Sequence, residues 1–526
     1  MADTTLSAPK SHLVAFAYEA WGHVRPLIVL CARIAKAGPV LTTVLTPLSL
    51  YERTKTELAR NFAPGEQAYL SRVRIVAVQR GQHNDVMIIP ASFVSAWRDL
   101  VDGKAITCAH TGQPIPAILP PKAALIDCFA YESVRQIRDV SGDSAKIYGW
   151  IPSALSTLFY YMFGPESLGG GVSMHDKAEA EARRTGRAYE DVAGELLMRG
   201  RGEVVRVPGL PPMYDYEYHP QHFPIFDGLN TSYLARTYDT MLLFDGAVVA
   251  TPECYEREAV AAARTFFADI HKPVYVLGPL QASGAQAAQL ERAHAPQAQE
   301  VEAFLDKTLK ESGERSLLYI SFGSIFWPMK APEQLWAFLD AAMELGIPFL
   351  LSHASPFAVI PDSVREKVHE YGKALVAPWV PQQLVLNHPV TGWFVTHGGH
   401  NSVLEALSAG VPQIFWPFEA DQPLNAVRLT EHFSAAYELL EVRTGLGLKP
   451  LCRNGKAPAG TLDAVRAEAR DVLVRAFGEE GKGKRANALQ LRDAVRAEWE
   501  EPVGEGEGGA SWRDFRAFVA TLWAEE

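Results

Sequence analysis

The stretch "FVTHGGHNSVLEALSAG", residues 394–410, joins a short apolar run to an amphipathic one through glycines, histidines, an asparagine and a serine. The pattern predicts a buried strand, a tight turn and a helix that ends at a glycine. Because the first amides of a helix are unpaired and lie at the positive end of its dipole, this junction can bind an anion. An ordinary turn with an asparagine or serine cap accounts for only part of the pattern.

The same strand–helix–strand order occurs near both ends of the chain. The first copy comprises "HLVAFA" (12–17), a loop "YEAWGHVRP" (18–26), a helix "LIVLCARIAKAG" (27–38) and a strand "VLTTVLT" (40–46). The second comprises "RSLLYISFGS" (315–324), "APEQLWAFLDAAMELG" (331–346) and "IPFLLSH" (347–353). Apolar strands without alternation are typical of parallel sheets buried on both faces. The sequence therefore predicts an α/β fold of two tandem, doubly wound, Rossmann-like domains.

Composition places the domain boundaries. Residues 1–272 form the expected first domain and 301–500 the second, and residues 281–300, rich in alanine and glutamine, form an interdomain linker. A last helix is expected over residues 511–526.

Charge and cysteine content narrow the class of protein. The chain has 526 residues, a formal net charge of −11 and five scattered cysteines. The interleaved charges argue against a nucleic-acid groove or an anionic membrane surface, and the cysteines suit reduced thiols. With no signal-peptide pattern and no apolar run of membrane-spanning length, we expect a cytoplasmic enzyme without a transmembrane segment, as a monomer or weak dimer.

Ligands of open parallel sheets bind beyond the carboxyl ends of the strands. In the first domain the loop after the first strand carries Gly22 and His23, and "AALIDCF" delivers Asp127 to another strand end. A histidine whose other nitrogen faces a carboxylate is a general base. Taken alone this signal is weak, because a loop histidine is usually a surface residue and an aspartate can cap a helix.

Residues 379–422, "WVPQQLVLNHPVTGWFVTHGGHNSVLEALSAGVPQIFWPFEADQ", are the most informative segment. In length and order they resemble the signature box of the UDP-dependent glycosyltransferases, the family of plant secondary-product enzymes and their relatives. The resemblance extends through "LIDCF", "VPGLPP", "DGAVVATPECYERE", "YVLGPL" and "SLLYISFGS", and so covers most of residues 12–480. It implies the GT-B fold, with two Rossmann-like domains facing a cleft and the last helix packing back on the first domain.

The resemblance also implies a role for each matching residue. Trp379 would stack on uracil and the backbone at Val380 would bond its edge; Gln382 and Glu405 would hold the ribose. The implied diphosphate ligands are His397, Asn401, Ser402 and Ser324, and the implied sugar ligands are Asp421 and Gln422, with the backbone at Gly399 and His400. His23 would be the general base beside Gly22, and Asp127 would orient it.

The implied reaction is an inverting, metal-independent transfer of a hexose from a UDP-sugar, with no further cofactor. Gln422 favours glucose. His400 and Gly398 stand where plant members have tryptophan and cysteine, which indicates a fungal or other non-plant member and an altered shape and charge near the hexose. The apolar segments 84–97 and 148–163 are candidates to line a pocket for a small lipophilic acceptor (a phenol, terpenoid, sterol or hydroxy lipid), or else belong to the core.

Two alternatives remain open at this stage. A UDP-sugar epimerase of similar architecture would bind the same donor, and so would a noncatalytic GT-B partner protein. A nicotinamide dehydrogenase is excluded because "AYEAWGH" is not a glycine fingerprint.

Overall fold

The computed structural model describes residues 6–79, 91–166, 171–198, 200–224, 231–282, 285–294, 297–504 and 506–523. Its strands are β1 Ser11–Phe16, β2 Val40–Pro47, β3 Val73–Val78, β4 Ile106–Thr107, β5 Pro114–Ile115, β6 Ala123–Asp127, β7 Lys146–Ile151, β8 Val204–Val205, β9 Met213–Tyr214, β10 Gly246–Val249, β11 Val274–Val276, β12 Leu317–Ser321, β13 Phe349–Ser352, β14 Ala374–Ala377, β15 Thr391–Thr396, β16 Gln413–Phe415 and β17 Ala436–Glu438.

The α-helices cover the faces of the sheets. They are α1 Trp21–Ala37, α2 Tyr51–Ala59, α3 Ala91–Val101, α4 Tyr131–Ser141, α5 Leu155–Phe163, α6 Met174–Thr185, α7 Tyr189–Met198, α8 Ser232–Ala235, α9 Thr237–Leu243, α10 Arg257–Asp269, α11 Ala285–His294, α12 Ala298–Ser312, α13 Pro332–Glu344, α14 Asp362–Tyr371, α15 Gln382–Asn387, α16 His400–Ala409, α17 Gln422–Val427, α18 Leu462–Ala476, α19 Glu479–Ala497 and α20 Ala510–Trp523.

Two parallel sheets carry the fold, and they confirm the predicted α/β class. The first has the order β11-β10-β7-β6-β1-β2-β3 and the second the order β14-β13-β12-β15-β16-β17. β1, β2, β6, β12 and β15 are buried along their whole length, which explains their unbroken apolar sequences. β4–β5 and β8–β9 are small antiparallel pairs outside the two sheets.

The strand order fixes where ligands can bind. In each sheet the chain starts in the middle and reverses direction, between β1 and β6 in the first and between β12 and β15 in the second. A crevice opens at such a reversal, beyond the carboxyl ends of the two strands. The four segments that follow these strands therefore carry the candidate site.

The segments between and after the sheets contain several helices. The expected linker 281–300 contains α11 and the start of α12, and β11 extends the first sheet beyond residue 272. α20 packs against β1 and β11, and its Phe515, Phe518, Val519 and Leu522 join the apolar cluster on that face of the first sheet.

Candidate functional site

The predicted catalytic pair is in contact. Asp127 is the last residue of β6 and is fully buried, and its Oδ2 lies 2.7 Å from Nδ1 of His23. The carboxylate also accepts hydrogen bonds from the backbone N–H groups of Tyr18 (3.3 Å) and Phe129 (3.4 Å). These bonds fix the carboxylate, which in turn fixes Nδ1 of His23 as the protonated nitrogen and leaves Nε2 as the basic one.

The electrostatic setting of His23 suits a base. Burial lowers the pKa of its imidazole, but the charge of Asp127, their hydrogen bond and the charge of Asp421 more than offset burial and raise it above the ordinary value. The side chain keeps 20% of its surface exposed, in the cleft between the two sheets. A ligand hydroxyl can therefore reach it.

His23 lies in a helix and not in the expected loop, so that sequence prediction was wrong. α1 begins at Trp21 and continues through Pro26. A proline inside a helix leaves the carbonyl four residues earlier without its N–H partner. Here that carbonyl belongs to Gly22, and it accepts a 2.7 Å hydrogen bond from Nδ2 of Asn401 in α16. The second sheet's helix thus completes the turn that holds the base.

The strand–turn–helix junction at residues 394–410 has the geometry of an anion site. α16 begins after Gly399, which has no side chain to bond the first helix amides, and the carboxylate of Asp421 accepts a hydrogen bond from the backbone N–H of His400. Gly398 has φ +90°, a conformation that favours glycine, and a Cβ at Gly399 would lie 2.5 Å from the ring of His397. Both glycines therefore let the backbone approach a ligand.

Both histidines of the junction are neutral at pH 7. Burial lowers the pKa of His397 to about 4 and also lowers that of His400. A neutral imidazole donates one hydrogen bond and adds no positive charge. His400 therefore adds an imidazole to the cleft lining without adding a positive charge.

The remaining predicted residues line the same cleft, whose volume is about 830 Å³. All of the predicted donor ligands are among its lining residues: Gly22, Ser324, Trp379, Val380, Gln382, His397, Gly399, His400, Asn401, Ser402, Glu405, Asp421 and Gln422. They come from five separate segments of the chain, at residues 22, 324, 379–382, 397–405 and 421–422, so only the tertiary fold brings them together.

The part of the cleft around Asp421 and Gln422 presents defined hydrogen-bonding groups. Oε1 of Gln422 accepts hydrogen bonds from the backbone N–H groups of Phe418 (2.8 Å) and Glu419 (3.2 Å), so its amide N–H₂ is left for a ligand. Asp421 is 9% exposed, and burial raises its pKa to about 7. A hydrogen-bond donor and a titrating acceptor therefore lie side by side.

The part of the cleft around Trp379, Gln382 and Glu405 contains residues that the sequence did not single out. Nε2 of Gln382 lies 2.6 Å from Oε2 of Glu405, and the other oxygen of Glu405 lies 2.6 Å from Nη1 of Arg25. The Arg53 guanidinium lies over the rings of Trp21 and Trp379, 3.9 and 4.7 Å from their centroids. Trp379 still exposes 40% of its surface, which leaves room for a base. Two first-domain cations thus reach across to the predicted uridine ligands.

The structure divides the two candidate acceptor segments between the cleft and the core. Residues 84–90 lie outside the described part of the chain, while Phe93 and Trp97 in α3 are fully buried in the core and do not line the cleft. Tyr160 and Tyr161 in α5 do line it. Helical spacing alone could not separate the two cases, because core and cleft residues alternate within α5.

The fold and this site define the class of protein. The family model "UDP-glucoronosyl and UDP-glucosyl transferase" matches residues 246–445. "UDP-glycosyltransferase eriJ" of Hericium erinaceus is 29% identical over 96% of this chain and 98% of its own length. An "Anthocyanidin 3-O-glucosyltransferase" of Zea mays is 35% identical over 39% of this chain and 38% of its own length.

A solved structure shows the same fold. Medicago truncatula UGT71G1, complexed with UDP-glucose, superposes with a TM-score of 0.67 at 16% identity, over 98% of this chain and 99% of that one. The chain is thus similar to UDP-glycosyltransferases, to the family model over residues 246–445 and to one curated enzyme over nearly its whole length, and it has the GT-B fold.

The described residues contain no group of three or more histidine, cysteine, aspartate or glutamate side chains with the geometry of a metal site. No described helix combines the length and apolar character needed to cross a bilayer. All five cysteines are free.

Proposed function

We propose that this enzyme transfers glucose from UDP-glucose to a hydroxyl of a small lipophilic acceptor, with inversion and without a metal ion. The observation that carries the proposal is the hydrogen-bonded His23–Asp127 pair, which opens on the same cleft as the donor ligands. The geometry suits base-assisted attack on a sugar bound between the two sheets.

In the proposed reaction Nε2 of His23 takes the proton of the acceptor hydroxyl. The oxygen forms a bond to the anomeric carbon from the side opposite UDP, and the bond from that carbon to the diphosphate oxygen breaks. The electron pair leaves with UDP, whose added charge faces the amides at the start of α16. The proton remains on His23, where the charge of Asp127 stabilises the imidazolium.

Helix amides and neutral side-chain donors can stabilise the negative charge of the departing UDP without a cation. This supports a metal-independent reaction. His397 and Ser324 line the cleft beside α16. At pH 7 the neutral His397 donates one hydrogen bond to an oxygen of the diphosphate.

Glucose is the proposed sugar because the cleft presents one donor and one acceptor for adjacent hydroxyls, on Gln422 and Asp421. The structure of a relative with UDP-glucose gives independent support. The proposed acceptor is a flat phenolic or similar lipophilic alcohol, in keeping with the aromatic lining around His23 and the anthocyanidin named for one relative.

The predicted partition of the chain belongs to this proposal. Residues 1–272 bind the acceptor, residues 301–500 bind the UDP-sugar, 281–300 link the two, and 511–526 return to the first domain. The packing of α20 on β1 and β11 supports the last assignment.

The test is mass spectrometry of the purified enzyme with a panel of phenols, sterols and hydroxy lipids and, separately, UDP-glucose, UDP-galactose, UDP-xylose, UDP-glucuronate and UDP-N-acetylglucosamine. We expect an added hexose from UDP-glucose and an anomeric configuration opposite to that of the donor by NMR. Conversion of UDP-glucose into another UDP-sugar without acceptor would favour the epimerase. His23→Ala should lose about 10²- to 10⁴-fold in turnover while UDP affinity stays unchanged.

A further inference from the structure

A second histidine–carboxylate pair lines the cleft and is not used by the proposed mechanism. Nδ1 of His219 lies 2.6 Å from Oε2 of Glu419. The two side chains come from opposite halves of the molecule and are 8% and 6% exposed. A polar pair this deeply buried needs a reason, because removing such groups from water is costly.

The hydrogen bonds of the His219–Glu419 pair leave Oε1 of Glu419 available to a ligand. Nε2 of His219 lies 2.9 Å from the carbonyl oxygen of Leu197, so this nitrogen must carry a proton. The contact between Nδ1 and Oε2 then contains one shared proton, whichever atom holds it. Within the described part of the chain Oε1 of Glu419 has no hydrogen-bond partner, and the carboxyl group faces the cleft. An acceptor oxygen that opens on the cleft can bind a ligand donor.

Aromatic rings connect His23 to this pair. Phe129 lies 6.3 Å from the His23 ring and 5.8 Å from that of Tyr161, measured between centroids. Tyr161 contacts Tyr160 at 5.9 Å, and Tyr160 stacks on Tyr218 at 4.0 Å. All of these rings line the cleft, and His219 follows Tyr218 in the chain. A flat ligand on this wall has the base at one end and the polar pair at the other.

The side chain of Glu419 faces the aromatic rings of the acceptor wall, although Glu419 shares a loop with the predicted sugar ligands Asp421 and Gln422. Its backbone N–H binds Gln422, whereas its side chain binds His219 of the first half. The charges of Asp421 and Glu419 both act on the buried Tyr161 hydroxyl and, after burial itself, raise its pKa. Asp421, by contrast, acts directly on His23. The loop thus presents Asp421 to the reacting centre and Glu419 to the acceptor wall.

We propose that His219 and Glu419 form an acceptor-recognition subsite, in which Glu419 accepts a hydrogen bond from a hydroxyl or N–H group at the end of an aromatic acceptor remote from the reacting hydroxyl. This inference rests on the proposed function and narrows its acceptor to flat aromatic molecules with two polar ends. An acceptor with a carboxylate at the remote end is rejected, because its oxygens would face the acceptor oxygen Oε1 of Glu419 with no proton between them.

The experiment uses one scaffold with four remote groups. The ligands are 2-naphthol with hydrogen, hydroxyl, methoxy or carboxylate at position 6, and the corresponding 4-hydroxybiphenyls, which place the same groups farther from the reacting oxygen. Affinity for the enzyme–UDP complex is measured by calorimetry, and transfer from UDP-glucose is measured in parallel. On the scaffold that reaches the pair, the hydroxyl compound should bind about tenfold or more tightly than the methoxy compound.

Glu419→Gln should remove this preference. The amide can donate to a methoxy oxygen or to a carboxylate, so the hydroxyl-to-methoxy ratio should fall toward one and the carboxylate compound should gain affinity. A merely structural role of Glu419 would not produce that gain. The matched control is Glu52→Gln, an exposed carboxylate at the rim of the same cleft, for which the ratios should stay as in the unaltered enzyme.

The outcomes separate the two proposals. Binding with the hydroxyl preference but no transfer would refute the proposed function and support the subsite. No binding of any compound, or a preference that Glu419→Gln leaves unchanged, would overturn the subsite. A loss of UDP-glucose affinity in Glu419→Gln with UDP affinity intact would assign the residue to the donor sugar and also overturn it.

Discussion

Asp127→Asn is the substitution that tests the proposed mechanism most directly. Asp127 is fully buried and contacts His23 over 2.7 Å, and it is the largest influence that raises the pKa of that imidazole against burial. A hydrogen bond to a charged group contributes about 1.5 to 3 kcal/mol, and each 1.4 kcal/mol is tenfold in rate. If the bond strengthens as His23 becomes charged, turnover should fall about 10- to 150-fold.

Asp127→Asn should also shift the pH dependence of the reaction in a defined direction. His23 must be neutral to accept a proton, so kcat/KM should fall as pH drops through its pKa. Asp127 raises that pKa, and its removal should therefore move the acid limb to lower pH. The assay is the pH profile of glucose transfer from UDP-glucose to 2-naphthol, with UDP affinity by calorimetry as the control for folding. Turnover within twofold of the unaltered enzyme and an unmoved acid limb would remove Asp127 from the mechanism.

Three further predictions concern the donor and the interface. Trp379→Ala should weaken UDP binding by about 1 to 3 kcal/mol, the contribution of a base stacked on an aromatic side chain; unchanged affinity by calorimetry would move the uracil elsewhere. UDP-glucose should bind more tightly as pH rises through about 7, where Asp421 becomes the better acceptor of sugar hydroxyls. UDP itself and the Asp421→Asn variant should lack this dependence, and equal slopes would contradict the assignment. Arg25→Met should lower the free energy of unfolding by about 3 to 5 kcal/mol in urea melts because it leaves the buried Glu405 without its cation, whereas the exposed Arg183→Met should have no measurable effect.

The sequence predicted what depends on local pattern. Uninterrupted apolar strands and glycine-ended helices predicted the two parallel sheets, and the residues singled out in segment 379–422 line the cleft. The motif also located Asp127 and His23, since each follows a strand at a reversal of strand order.

What the sequence did not predict depends on contacts between distant parts of the chain. Proline normally argues against a helix, and α1 passes through Pro26 only because Asn401 supplies the missing donor from the other half. Glu419 stands two residues before Asp421 and could have been suspected from that position. His219 could not, because its only signal is a partner two hundred positions away in the chain.

The packing of α20 has a consequence for the order in which the molecule is built on the ribosome. The first sheet is complete once β11 has been synthesised, yet the aromatic side chains that cover one of its faces, Phe515 and Phe518, follow the entire second sheet. A nascent chain therefore carries an uncovered apolar face while several strands and helices are still being added. The last helix completes the packing late, so that the first sheet reaches its final stability only after the second sheet has been synthesised.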